Sequence, residues 1–319
     1  MNIRSFPANI SKKKIFFLSI PVFFSNLAIP LVGMVDTALM GNMGEIRYLA
    51  AASISTSVMT MVIWSFGFLR MGTVGIVSQL YARSDYREIV RTIIRNFLIA
   101  MVLATIIVLL RSYILDLIEY FFLISDETKI LIKAYISVRV FSIPAEFIIY
   151  ILVGFYLGIQ KTRISSLLII IFSSLNVIFS SYFVLSLDLN VFGVALGTLV
   201  ASYITIFFYI LFTYRFIIKE FKIIPSFQRL FIPSKLLKLF NINFDIFIRT
   251  IILTFSFVWI TYQGSKLGED YLAVNTILMQ FIILAAFFLD AYAFCTEGII
   301  GFTIGRKNKK SFLLAVKNS

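Results

Sequence analysis

Runs of about 20 apolar residues, the length a helix needs to cross roughly 30 Å of hydrocarbon, recur along this chain with only short polar gaps between them. Eight such spans can be read, at 15–40, 52–81, 93–118, 130–158, 164–187, 191–215, 244–265 and 271–304. In lipid each backbone N–H and C=O must find its partner within the protein, so spans of this length are read as α-helices. Composition agrees, because 60% of the 319 residues are hydrophobic and only 14% charged, more apolar surface than a water-soluble core can bury. The expected fold is an all-α polytopic membrane protein whose first partner is the lipid bilayer. The first run follows Lys12, Lys13 and Lys14 like a signal peptide. It is too long for one, holds Asp36 and lacks a small-residue cleavage site, so it is read as a retained helix. With one cysteine, Cys295, and no histidine, neither a disulfide framework nor a Cys/His metal site is expected.

A net charge of +13 invites a nucleic-acid reading, but the placement of the basic residues argues for topology instead. Loops on the side of the N-terminus carry 21 of the 29 Lys and Arg. They include the lysines at 12–14, Arg83, Arg87, Arg91 and Arg95, Lys161 and Arg163, and the group from Arg306 to Lys317. The opposite loops hold Arg47, Arg111, Lys129, Lys133 and Lys266 beside Asp126, Glu127, Asp188, Glu269 and Asp270. The positive-inside rule then places both termini in the cytoplasm of a cell inner (plasma) membrane protein, with no nucleic-acid partner.

An internal repeat gives the domain plan. Tyr48-Leu49-Ala50 matches Tyr271-Leu272-Ala273, Gly44-Glu45 matches Gly268-Glu269 with a slip of one residue, and the register pairs Gly75 with Gly298 and Arg83 with Arg306. Spans 1 and 2 therefore correspond to spans 7 and 8. The expected division is a six-helix N-terminal lobe over 1–215, a cytoplasmic linker over 216–243 with Pro225 and Pro233, and a partial C-terminal lobe of two helices over 244–319. By this logic partners of spans 3 to 6 are lacking, so the chain is expected to be a fragment or to be completed by assembly, its oligomeric state being open.

The stretch Ile29-Pro30-Leu31-Val32-Gly33-Met34-Val35-Asp36-Thr37-Ala38-Leu39-Met40-Gly41 resembles the first helix of the multidrug and toxic compound extrusion (MATE) family, in particular its DinF-like branch. Three more stretches share the resemblance in the family's order: 154–163, 192–198 and 290–301. The resemblance implies a secondary active antiporter that exports drug-like or toxic organic compounds, some of them cationic, in exchange for protons, with no cofactor. It also implies about twelve helices, of which this chain supplies about eight.

An antiporter needs a group that takes up a cation on one side and releases it on the other. Asp36 sits in an apolar helix, where insertion of an aspartate costs roughly 2.5–3.5 kcal/mol, so it should face a cavity or carry a proton. The structural alternative is an aspartate held by neighbouring hydroxyls. The repeat places Ile260 opposite it, which would confine coupling to the N-terminal lobe. In some family members the cation site adds an Asn and a second Asp on helix 5 and a Thr on helix 6; the matching positions are Asn176, Ser180 and Thr198. Ser180 removes one carboxylate, which favours proton coupling and leaves sodium as the alternative ion. Pro21 and Pro30 permit a kink in the first helix, and the resemblance implies that its bending closes the pocket. Prolines are also simply common in membrane helices.

Six further intramembrane charges are candidate cavity or ion-pair groups: Arg70, Arg139, Glu146, Arg249, Asp290 and Glu297. The spacing puts Arg139 with Glu146, and Asp290 with Glu297, on common helix faces. The acidic pair could attract a cationic substrate or form interhelical ion pairs. Two other functions stay open: a flippase of lipid-linked precursors from the related superfamily, kept alive by the three arginines, and a truncated chain inactive alone. The sequence shows no nucleophile and base arrangement of an enzyme.

Overall fold

The computed structural model describes residues 11–121, 125–224, 230–266 and 269–319, and within them every regular element is helical. Seven of these stretches are long and apolar enough to cross a membrane. The expected span 244–265 lies in a further long helix whose side chains are described only in part.

The expected spans become helices in chain order. The first is α1 (Lys12–Gly41), started by the Ser11 side chain accepting from the Lys14 N–H at 3.3 Å. Span 2 divides into α2 (Ile46–Ser65) and α3 (Phe68–Ala82) at Phe66-Gly67. Span 3 begins earlier than expected and divides at Leu110 into α4 (Tyr86–Leu109) and α5 (Arg111–Phe121). Span 4 is α6 (Asp126–Arg139), a 3₁₀ turn (Val140–Ser142) and α7 (Ile143–Gly158). Pro144 in the first turn of α7 explains that turn, since its missing N–H leaves the carbonyl of Val140 without an α-helical partner. Then follow α8 (Thr162–Leu185) and α9 (Asn190–Phe216).

The stretch expected as a linker is helical at both ends. A π-helical turn (Ile217–Phe221) prolongs α9, and α10 (Pro233–Lys266) begins at Pro233, where proline's lost N–H costs nothing. Pro225 and Arg229 lie outside the described residues. The chain ends in α11 (Glu269–Gly305) and α12 (Lys309–Asn318).

Packing centres on α7, of which almost every residue is buried. It lies against α3, α4 and α8, while α8 pairs with α9 and α1. The approach of α3 to α7 requires a glycine: a Cβ on Gly154 would fall 2.6 Å from the Arg70 carbonyl oxygen. On the other side of α3 lies α11, where a Cβ on Gly301 would run into the Ser78 hydroxyl. At the level of the break between α2 and α3, Phe247 of α10 meets Phe68 with ring centres 5.8 Å apart.

The repeat is visible as backbone geometry. Ser84 takes φ 57° and Lys307 φ 54°, and each is followed by a capping residue, Asp85 or Asn308. The Ser84 N–H donates to the Tyr81 carbonyl at 3.1 Å and that of Asp85 to Leu80 at 3.1 Å. At the paired positions Lys307 donates to Ile304 at 2.9 Å and Asn308 to Thr303 at 3.3 Å. Thus α12 begins as α4 begins.

Candidate functional site

Asp36 stands six residues after Pro30 on α1, and its side chain is buried, with 8% exposure. It lines a cavity of about 660 Å³ between α1 and α2, together with Pro30, Gly33 and Thr37 on its own helix and Ser53, Thr56 and Ser57 across from it. Its Oδ1 is buried without a hydrogen-bond partner. A buried carboxylate oxygen without a partner is costly when charged, whereas a protonated carboxyl carries far less of that penalty. Pro21 and Pro30 both lie inside α1, which runs unbroken past them.

The other three residues expected at the cation site come together between α8 and α9. Asn176 donates through Nδ2 to Thr198 Oγ1 at 2.9 Å, and Ser180 donates to Asn176 Oδ1 at 3.3 Å. Thr198 in turn donates to the Val194 carbonyl at 3.2 Å. All three are buried, and the helices are close enough that a Cβ on Gly197 would fall 2.5 Å from the Ser180 nitrogen. The trio satisfies itself, and none of its bonds reaches Asp36. The carboxyl and the amide-hydroxyl cluster are thus two neighbouring polar features on helices that pack together, α1 against α8.

Comparison with known proteins decides what such a bundle belongs to. The MatE family model matches residues 21–182, about half of the chain and the part that contains Asp36, Asn176 and Ser180. The chain belongs to the MatE family. DNA damage-inducible protein F of Escherichia coli K12 is 30% identical over 303 residues, covering 95% of this MatE chain and 66% of the relative. The multidrug export protein MepA of Staphylococcus saprophyticus is 24% identical over 246 residues, 76% of this chain and 53% of its own length. The MatE chain therefore spans between about half and two thirds of the curated relatives it matches. The Vibrio cholerae MATE transporter VcmN in its bent form superposes with a TM-score of 0.81 at 20% identity, over 96% of this chain and 69% of that one, which shows the same fold.

The six remaining charges of the MatE chain fall into two groups. Arg139 and Glu146 form an ion pair, with a second contact from Nη2 to Oε2 at 3.3 Å. They end and begin different helices, α6 and α7, and the tight turn between brings them side by side. Ser142, inside that turn, donates to Glu146 Oε1 at 2.8 Å. The second group lies where α3 meets α11. The Arg70 guanidinium stacks on the Phe294 ring at 3.7 Å, on the α11 face that also carries Asp290 and Glu297. No ion pair within 4 Å is seen between Arg70 or Arg249 and these two acids among the described residues.

Sequence reading overlooked two participants. Tyr135 is buried on α6, with its hydroxyl 3.3 Å from Thr56 in the cavity wall and Arg139 one turn further along the same helix. Arg95, taken for a topological charge, is buried and donates to the Leu230 carbonyl at 2.7 Å and to Glu88 at 2.8 Å. Lys235 reaches the same Glu88 oxygen at 3.2 Å. The seven-residue spacing of Glu88 and Arg95 was the available signal, the same spacing that singled out Arg139 and Glu146.

Proposed function

We propose that this MatE chain belongs to a secondary active efflux system of the inner membrane, which exports drug-like organic compounds in exchange for protons taken up by Asp36. The observation that carries the reading is the buried Oδ1 of Asp36, unpartnered in the wall of a cavity of about 660 Å³. A group so placed holds a proton when the cavity is dry and gives it up when water enters, and an antiporter needs that difference between two helix packings. Export by the relatives named multidrug export protein supports the substrate class. Sodium is the less favoured ion, because the oxygens of Asn176, Ser180 and Thr198 are neutral and already bonded to one another.

The test is drug-driven proton movement in proteoliposomes with an imposed pH gradient. Asp36→Asn is expected to abolish exchange while drug binding persists. Exchange by Asp36→Asn equal to that of its parent makes the carboxyl structural. Proton-independent movement of a lipid-linked phosphate, with no movement of drug, would favour the flippase reading, for which Arg70 and Arg249 stand at the seam of α3, α10 and α11.

A further inference from the structure

The Arg139 guanidinium is held by one buried carboxyl, Glu146, and lies on a path to a second, Asp36. This path leads from the cavity of Asp36 to it: Thr56 lines the cavity wall, the Tyr135 hydroxyl lies 3.3 Å from Thr56, and Arg139 follows Tyr135 one turn on along α6. Arg139 is the cation that this path brings toward Asp36. Both of its terminal nitrogens are nevertheless turned to Glu146, which also accepts from Ser142. The ion pair is nearly closed to water, its two side chains being 11% and 10% exposed. Bidentate pairing of this kind is among the stronger polar contacts a protein makes.

Charge counting shows the consequence. With Asp36 protonated, Arg139 and Glu146 cancel and every charge in the group is paired. With Asp36 ionised, two carboxylates face one cation in a low-dielectric site. Either Asp36 remains unpaired or Arg139 is drawn from Glu146, and each alternative is costly. Among the described residues no other ionisable side chain is seen to relieve this. The cavity of Asp36 is lined from α2 by Ser53, Thr56 and Ser57, and α8 and α9, which pack on α1, carry Asn176, Ser180 and Thr198; among the described residues the titratable groups on the path from that cavity come from α6, as Tyr135 and Arg139. The next helix, α11, meets α1 at Asn26 and Leu18, about 15 Å or more along the axis from Asp36 at 1.5 Å per residue.

We propose that Asp36 and Glu146 compete for the guanidinium of Arg139, and that Glu146, by holding it, keeps Asp36 in its proton-carrying form. Glu146 is then a positioning residue that sets when the coupling group loads and unloads. This deepens the proton-coupling reading above and rests on it. Release of the proton is eased when Arg139 leaves Glu146, and the Val140–Ser142 turn between α6 and α7 is where the two partners can separate.

The experiment is labelling of the full 319-residue chain in membranes with a hydrophobic carbodiimide, which reacts with protonated carboxyls, followed by peptide mass spectrometry. Asp36→Asn identifies the Asp36 adduct. Asp36 is expected to label in the parent chain at neutral pH. In Glu146→Gln the freed Arg139 pairs with Asp36, and labelling falls at least about tenfold, the factor carried by one hydrogen bond to a charged group. In the double variant Glu146→Gln with Arg139→Gln no cation remains, and labelling returns to the parent rate, which a merely structural role of Glu146 would not produce. Glu146→Asp, with a shorter and looser grip, gives an intermediate fall and serves if the Gln variant does not fold. Unchanged Asp36 labelling in Glu146→Gln overturns the competition while leaving Asp36 as the coupling group. Absence of labelling in the parent chain even at acidic pH overturns the coupling reading and the competition with it.

Discussion

Asn176, Ser180 and Thr198 show how much a single buried donor is worth at this site. The Asn176 amide gives its proton to Thr198 Oγ1 at 2.9 Å, in a pocket closed to water. Thr198→Val keeps the shape but takes away the acceptor, leaving the amide without a partner, which costs about 1–3 kcal/mol. The expected result is a lower unfolding temperature in detergent. Combining it with Asn176→Leu, which removes the donor as well, should recover part of the loss in a double-mutant cycle. Asp36 differs from these residues because nothing of that kind supports its Oδ1. A packing role would leave the oxygen bonded to a neighbouring hydroxyl, so the geometry favours a carboxyl whose protonation changes.

At the scale of elements, the glycines of α7 and α11 decide how closely the central helices approach α3. The Cβ of an alanine at 154 would meet the Arg70 carbonyl at 2.6 Å, and a backbone atom cannot move aside as a flexible side-chain tip can. Gly154→Ala is therefore expected to push α7 from α3 and destabilise the chain by about 1–3 kcal/mol, the usual cost of overpacking, read as a lower unfolding temperature. Gly33, on the cavity side of α1, has nothing within 4 Å of the same added atom. Gly33→Ala should leave the unfolding temperature close to that of the parent, and an equal loss in both variants would show that close approach is not the reason for the glycine at 154. The ends of α10 are managed differently. Arg95 and Glu88 hold Leu230 and Lys235, so the segment that enters α10 is pinned to α4 by buried polar contacts.

For the whole molecule, the proposed coupling through one carboxyl sets a limit on the gradient. A potential of 100 mV supplies about 2.3 kcal/mol per charge, and each tenfold gradient needs about 1.4 kcal/mol. One proton exchanged for a neutral compound can therefore sustain roughly a fifty-fold gradient on the potential alone. Exchange of one proton for a monovalent cation moves no net charge and should respond only to the pH difference. Steady-state accumulation of a neutral and a cationic drug, measured in vesicles with a potassium-diffusion potential and no pH gradient, separates the two cases. A neutral drug held well beyond fifty-fold would require a second coupled ion, and the acids Asp290 and Glu297 on α11 would be the groups to examine.

Much of this was legible in sequence because lipid makes the rules simple. Spans must be apolar and long, and the register that pairs Arg83 with Arg306 reappears as the matched bends at Ser84 and Lys307. Helix breaks were less legible. The division at Phe66-Gly67, the 3₁₀ turn before Pro144 and the early start of α10 are set by local hydrogen bonding, which leaves apolar content unchanged. Candidate residues could be named one by one, since a charge in an apolar run is conspicuous by its cost. Which of them meet depended on tertiary packing. Periodicity placed Arg139 and Glu146 on one face of one helix, and the structure joins them across a turn between two. It also drew Asn176, Ser180 and Thr198 into a closed cluster and left the Asp36 Oδ1 without a bond. The sequence by itself determined the membrane bundle and its suspect carboxyl, because hydrophobicity acts residue by residue. Only the tertiary structure decided who pairs with whom, because a hydrogen bond or an ion pair depends on ångström distances between helices that no single helix specifies.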